Sequence, residues 1–340
     1  MTSTTDGAGF VAQAYLDSGN YARAEEVLRS ALAADPNNAD LLAGLARAKI
    51  GQKDYYAAAL AAHSALAAAP DSEYTKRLYA LALQGQGRLP EALWMAWKTV
   101  TEHPDVYLAH YVYASMLYSA GHAQQALVAV NEALRLNPAS ADSWVLRGDI
   151  YRSFWGFAAA EADYHEAIRL EPDHASAVNN LAVSRLRRGK TGMALHGFLG
   201  AGRLDPGLGE LARRNVGVAL TGVLRWTTAS VVFMAVALIV VAAMHEEGRA
   251  TVVPRLFAAA LTAGIVAVIV WVFRRVPWPA LRAVLRERFL LALRLLFVGF
   301  AVLAGLAVTV VGSTPLTDVL GPLLLMGVVG LTVLGWLTGQ

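Results

Sequence analysis

The order of apolar and polar residues divides the chain into two parts. In the first part, up to about residue 222, small apolar residues and prolines return at a fixed interval of 34 residues. The repeated prolines are Pro36, Pro70, Pro104, Pro138, Pro172 and Pro206. In the second part, long apolar runs are free of charged residues. The first pattern predicts stacked helical hairpins, and the second predicts helices that cross a membrane.

Small residues mark the places where the predicted helices cross. The position twelve residues before each proline holds Ala24, Ala58, Ala92, Ala126, Ala160 and Ala194. Twelve residues further back stand Ala12, Ala46, Ala80, Ala114, Gly148 and Ala182. Small side chains allow two helices to pack closely, and proline ends the second helix because it lacks a backbone N–H. We therefore predict an all-α fold of six helix-turn-helix units, with turns at 19–20, 51–53, 87–88, 121–122, 155–156 and 189–190.

The repeated residues resemble the tetratricopeptide repeat family, whose pattern is W-x2-L-G-x2-Y, then A-x3-F, then P. The fifth unit shows the pattern most clearly, with Trp144, Gly148, Tyr151, Ala160, Tyr164 and Pro172. It departs from the pattern at Arg147, where leucine is usual. The resemblance covers about residues 5–208 and implies an α-solenoid. It also implies that the first helix of each hairpin lines a concave surface where a peptide or a partner helix docks.

Carrying this concave surface over to the sequence selects a set of polar and aromatic positions, which we call the groove residues. They are Arg47, Tyr74, Arg77, Tyr111, Tyr118, Asp149, Arg152 and Asn179. Tyrosine and arginine are frequent in binding hot spots. The resemblance therefore implies a protein or peptide partner, and the alternative is a solvated groove without a specific ligand.

The second part of the chain has the length and composition of a membrane domain. We predict spans at 226–244, 256–273, 289–311 and 319–339, because a helix of about 20 apolar residues crosses a bilayer. The domain boundaries are then a polar lead at 1–7, a solenoid at 8–222 and a membrane domain at 223–340. Residues 209–222 are predicted to be a capping helix for the last repeat.

Basic and aromatic residues near the predicted third span suggest contact with lipid. Trp278 suits a membrane interface, and Arg282 and Arg286 follow on a short amphipathic segment. Arg294 lies near one end of the span, from where it could reach lipid headgroups by snorkelling. We predict that Trp278, Arg282, Arg286 and Arg294 contact membrane lipids.

Several kinds of chemistry have no support in the sequence. The chain has no cysteine, so disulfides and thiolate metal sites are excluded. Gly189-Lys190-Thr191 is not a phosphate-binding loop, because Ser184 occupies the required glycine position. The basic excess lies in the second part of the chain, so it does not indicate nucleic-acid binding. We predict no catalysis, no cofactor and no metal.

These observations favour a protein-interaction scaffold anchored in the plasma membrane, with the repeats in the cytoplasm. The alternative is a regulatory or accessory subunit of a membrane transport or channel complex. The alternative is weaker because the spans lack paired charges or a polar stripe. Arginine greatly outnumbers lysine and alanine is abundant, which suggests a bacterial chain from a GC-rich genome.

Orientation in the membrane can be tested with single cysteines, because the natural chain has none. Eight arginines lie next to the spans on the side of the membrane that carries the repeats, and two lie on the other side. Because basic loops stay in the cytoplasm, the repeats and the C-terminus should be cytoplasmic. In intact cells, an impermeant thiol reagent should label Gly248→Cys and Ser313→Cys. It should label Ser72→Cys and Ala283→Cys only after lysis. Labelling in the reverse order would place the repeats outside the cell.

Overall fold

The structure is a computed structural model that describes residues 2–338, with side chains from residue 7 onward. Over these residues the chain forms helices and short connections, and no β-strand. The chain divides into two compact units, Met1–Pro172 and Asp173–Gln340, which we call unit 1 and unit 2. The all-α prediction is confirmed.

Unit 1 consists of helical hairpins in sequence. Within residues 2–172 the helices are α1 (Thr2–Asp17), α2 (Tyr21–Ala34), α3 (Ala39–Gly51), α4 (Tyr55–Ala68), α5 (Glu73–Gly85), α6 (Leu89–Glu102), α7 (Tyr107–Ser119), α8 (Ala123–Leu136), α9 (Ala141–Ser153) and α10 (Phe157–Leu170). Odd-numbered helices are the first helices of their hairpins, and even-numbered helices are the second. The first helix, α1, begins inside the stretch predicted to be a polar lead.

Each hairpin turn contains one residue in the left-handed region, at the same position of the repeat. These residues are Gly19, Lys53, Gly87, Gly121, Trp155 and Gly189, with φ between 61° and 82°. Glycine adopts this conformation at little cost, whereas Lys53 and Trp155 adopt it against the preference of their side chains. The predicted turn positions are confirmed.

The small residues of the repeat lie at the closest helix contacts, as predicted. Ala24, Ala58, Ala92, Ala126 and Ala160 are all completely buried. At Gly148 the ring of Tyr164 occupies the space, since an added Cβ would lie only 2.6 Å from that ring. The prolines follow the second helices: α2 ends at Ala34 and its closing residue, Asp35, directly precedes Pro36.

Unit 2 begins with the sixth hairpin and continues into long apolar helices. Within residues 173–338 the helices are α11 (Ala175–Arg187), α12 (Thr191–Leu204), a 3₁₀ turn (Pro206–Leu208), α13 (Gly209–Glu246), α14 (Val252–Arg275), α15 (Trp278–Glu287), α16 (Phe289–Val311), α17 (Pro315–Asp318) and α18 (Leu320–Thr338). Four of these described segments are long and apolar enough to cross a membrane: Pro206–Glu246, Val252–Arg275, Phe289–Val311 and Pro315–Thr338.

The predicted capping helix and the first predicted span form one continuous helix, α13. The predicted boundary at residue 222 therefore lies inside a helix. Phe198 of the sixth hairpin shares one buried cluster with Leu220 of α13, Val272 of α14 and Val284 of α15. The sixth hairpin thus packs with the apolar helices through ordinary hydrophobic contacts.

Close approach also holds the apolar helices together. Gly305 of α16 faces Thr262 of α14 and Met234 of α13, and a Cβ added there would collide with both side chains. At the end of α16, the guanidinium of Arg255 donates hydrogen bonds to the carbonyl oxygens of Thr309 (2.6 Å) and Val310 (3.2 Å). These bonds satisfy carbonyl groups that a helix end leaves without a partner.

The packing of unit 1 predicts a different cost for two neighbouring substitutions. Ala160→Leu should lower the free energy of unfolding by about 1–3 kcal/mol, because the added atoms have no space at this buried contact. Ala159→Leu, on the exposed face of the same helix, should have little effect. Urea unfolding of a 1–172 fragment, followed by circular dichroism, measures both. Equal destabilisation by the two variants would contradict the assigned helix register.

Candidate protein-binding groove

The structure places all eight groove residues on first helices. Arg47 lies on α3, Tyr74 and Arg77 on α5, Tyr111 and Tyr118 on α7, Asp149 and Arg152 on α9, and Asn179 on α11. The first seven belong to unit 1, and Asn179 belongs to unit 2. In unit 1 they form two clusters of side chains, one N-terminal and one C-terminal.

The N-terminal cluster joins α1, α3 and α5. The guanidinium of Arg47 donates a hydrogen bond to the carboxylate of Asp17 over 2.9 Å. Arg77 is paired with Glu73, four residues earlier on α5, and its guanidinium lies 5.5 Å from the centre of the Tyr74 ring. Hydrogen bonds from Arg47 and Gln13 hold the pKa of Asp17 below its usual value. Asp17 is therefore ionised at neutral pH, and the charge of Arg47 is balanced from inside the chain.

The C-terminal cluster joins α7, α9 and α10. The carboxylate of Asp149 accepts hydrogen bonds from the Tyr164 hydroxyl (2.6 Å) and from the Arg152 guanidinium (3.1 Å). The Tyr118 hydroxyl donates to the backbone carbonyl of Asp149 over 3.2 Å. Asp149 and Arg152 thus have partners within unit 1, and their side chains are held in one orientation.

The tyrosines of this cluster stay protonated at neutral pH. Burial, followed by the negative charge of Asp149, raises the pKa of Tyr164 far above its usual value. Burial raises the pKa of Tyr111 to about 12, with smaller contributions from Asp142 and Asp149. Their hydroxyl groups are therefore neutral donors.

Asn179 is the groove residue with the least exposure. Only 5% of it is exposed, and its side-chain oxygen accepts a hydrogen bond from Asn215 of α13 over 3.0 Å. Its amide nitrogen donates to Asn180 over 3.1 Å. Within unit 2 the side chain of Asn179 thus joins the sixth hairpin to α13.

Known proteins support the repeat assignment. Sequence profiles described as tetratricopeptide repeat match residues 15–81 and 156–206. The crystal structure of the APC/C hetero-tetramer Cut9–Hcn1 contains a similar chain, with a TM-score of 0.58 and 16% identity. The similarity covers 63% of this chain and 42% of that chain, so the present chain spans less than half of its length. The repeat region consists of tetratricopeptide repeats.

Two further solved structures have lower scores. Pseudomonas aeruginosa pilF has a TM-score of 0.49 and 22% identity, over 61% of this chain and 94% of its own. MamA has a TM-score of 0.40 and 21% identity, over 49% of this chain and 97% of its own. No curated protein sequence matches the chain significantly.

The departure of the fifth tetratricopeptide repeat at Arg147 has a structural explanation. The guanidinium of Arg147 forms two hydrogen bonds with the carboxylate of Asp163, at 2.9 and 2.7 Å. It also lies 4.4 Å from the centre of the Trp144 ring. A bidentate ion pair between the two helices of the hairpin replaces the apolar contact of the usual leucine.

Sequence reasoning did not identify the acidic partners of Arg47 and Arg77. Glu73 could have been found from its spacing, since residues four apart on a helix are neighbours. Asp17 is on a different helix, 30 positions before Arg47, and no local pattern relates the two. The contact between Gln84 of α5 and Ser119 of α7, at 3.1 Å, was missed for the same reason.

The second helices of the tetratricopeptide repeats carry a row of exposed apolar side chains that sequence reasoning also missed. Leu60, Trp94 and Val128 occupy the same position of successive repeats, 34 residues apart, and each is more than half exposed. Their spacing was the available signal. We call these three residues the second-helix row.

Of the four residues predicted to contact lipid, three are exposed and one is buried. Trp278 is exposed and stacks on Phe273, and Arg282 and Arg286 are exposed on α15. The apolar face of α15 packs into unit 2, where Leu281 and Val284 are buried. Arg294 is 4% exposed, because it lies on the stripe of α16 that faces the other helices.

Proposed function

We propose that this protein is a membrane-anchored scaffold whose tetratricopeptide repeats bind a segment of another protein. The tetratricopeptide repeat fold supports a role in protein–protein interaction. The observation that carries the proposal is the first-helix face of unit 1, where tyrosines and arginines are held in fixed orientations by partners inside the chain. Such side chains lose little conformational freedom on binding.

The charges of this face indicate the kind of segment that it accepts. Arg47, Arg77 and Arg152 are each paired with an acidic residue of unit 1. The face therefore offers no excess of positive charge to a strongly acidic tail. It offers aromatic surface and polar groups, which favour a segment of low net charge that contributes apolar side chains and backbone hydrogen bonds.

We assign direct contact to Tyr74, Arg47 and Arg152, and a supporting role to Asp149. Tyr74 is the most exposed groove residue, at 37%, and Arg47 keeps a third of its side chain exposed. Arg152 also keeps 34% of its side chain exposed, whereas Asp149 keeps 21% and accepts the hydrogen bond of the Tyr164 hydroxyl. Tyr111 and Tyr118 extend the contact surface along α7, and Asn179 keeps its bond to α13.

The long apolar helices of unit 2 support membrane anchoring. Their length and composition match the hydrocarbon core of a bilayer. The distribution of arginines supports an orientation with the repeats and the C-terminus in the cytoplasm, in the plasma membrane. The exposed Trp278, Arg282 and Arg286 are then at the inner surface, where each arginine gains roughly 1 kcal/mol from anionic lipid.

Paired substitutions on the two faces test the binding surface. The double variant Arg47→Ala/Tyr74→Ala should reduce the amount of a captured partner about tenfold or more, because hot-spot residues each contribute 2 kcal/mol or more. The measurement is affinity capture of the full chain in detergent, followed by quantitative mass spectrometry of the proteins that accompany it.

The matched control is Tyr56→Ala/Leu60→Ala, two exposed positions on the second helix α4. Both double variants should keep the wild-type helicity, because the altered side chains are at the surface. Loss of the partner only with the second-helix variant would place the interface on the opposite helices. Retention by both variants would contradict binding by unit 1.

A further inference from the structure

A cavity of about 520 Å³ lies among α13, α16 and α18 of unit 2. Two arginines line it: Arg225 from α13 and Arg294 from α16. Arg225 is exposed and lies at the rim, whereas Arg294 is 4% exposed. Two positive charges thus converge on one cavity between helices that are otherwise apolar.

Arg294 has no counter-charge in its surroundings. Its Nη1 atom is buried and has no hydrogen-bond partner among the described residues. The runs 226–244, 256–273, 289–311 and 319–339 contain no aspartate or glutamate. A buried guanidinium is stable only when an anion or several acceptors compensate it. We therefore expect an anion from outside the chain to compensate the charge of Arg294.

The hydroxyl groups of the cavity cannot replace the arginines as donors. Thr228 donates its hydroxyl to the carbonyl of Leu224 (2.7 Å), and Thr332 donates to the carbonyl of Val328 (2.7 Å). The guanidinium groups of Arg225 and Arg294 and the indole N–H of Trp336 remain as side-chain donors among the residues that line the cavity. Guanidinium binds phosphate oxygens in a bidentate manner, which makes a phosphate group a suitable anion.

We propose that this cavity binds the phosphate group of an anionic glycerophospholipid between Arg225 and Arg294. This inference rests on the proposed membrane insertion of unit 2. Val232, Val328 and Leu331 form apolar walls beside the arginines, and Trp336 lies 83% exposed at the rim. A lipid matches this combination, because its headgroup is charged while its acyl chains are apolar.

The position of the cavity also favours a lipid over a soluble phosphate ion. Arg225 directly precedes the span 226–244, and Arg294 lies near the start of the span 289–311. The arginine distribution assigns these ends of the spans to the inner leaflet, which is rich in anionic lipid. The apolar walls offer a free phosphate ion no contacts, whereas they cover the first carbons of an acyl chain. The bound lipid would connect α13, α16 and α18.

Native mass spectrometry of the full chain in neutral detergent tests the inference. Phosphatidylglycerol and phosphatidylcholine of the same acyl chains are titrated separately, and the first bound lipid is counted. Wild-type protein should bind phosphatidylglycerol about tenfold more tightly, which corresponds to one good charge-assisted contact. Arg294→Gln should abolish this preference. Arg249→Gln, which removes an exposed arginine in the loop after the other end of α13, should retain it.

Thermal unfolding separates the remaining outcomes. Phosphatidylglycerol should raise the unfolding midpoint of the wild type but not of Arg294→Gln, and inorganic phosphate should raise neither. Equal binding of both lipids by the wild type, or an unchanged preference in Arg294→Gln, would overturn the inference. Stabilisation of the wild type by inorganic phosphate alone would assign the cavity to a soluble anion instead. Extraction of the chain from membranes by alkaline carbonate would contradict the membrane anchor itself.

Discussion

Close packing at the small residues of each repeat is the constraint on which the hairpins of unit 1 depend. A hairpin has one apolar stripe on each helix, and only a small side chain at the crossing lets both stripes be buried. The completely buried Ala58, Ala92 and Ala126 fill this position in successive repeats. Where Gly148 takes such a position, the ring of Tyr164 fits against it. The same ring carries the hydroxyl that donates a hydrogen bond to Asp149. Tyr164 therefore contributes both to the packing of the hairpin and to the groove.

This packing also fixes the positions of the groove residues. First helices held at a fixed spacing bring Asp17 beside Arg47 and Tyr118 beside Asp149, although these residues are about thirty positions apart. The internal ion pairs balance the charge of the face and hold its side chains in place. In unit 2 the same kind of close contact, at Gly305, holds apolar helices together, while Arg294 is left with a buried nitrogen atom without a partner in the described chain.

The sequence predicted the fold more fully than the site. A 34-residue period specifies turns, crossings and helix ends, because each is repeated and each has a local cause such as Gly87 or Pro36. It did not reveal that α13 is continuous, with neither Gly217 nor Gly222 interrupting the helix. Partners such as Asp17 were missed because they depend on contacts between helices rather than on spacing. The burial of Arg294 was missed because one charge near a helix end is compatible with either snorkelling or a buried stripe.

The central claim is that the first-helix face of unit 1 binds the partner, and site-specific photocross-linking measures this most directly. A photoreactive phenylalanine derivative would replace Tyr74 on the first-helix face or Trp94 in the second-helix row, in the full chain inside intact cells. Both side chains are exposed, so both probes can react. The account predicts a discrete protein adduct from position 74 and none from position 94. An adduct only from position 94 would contradict it.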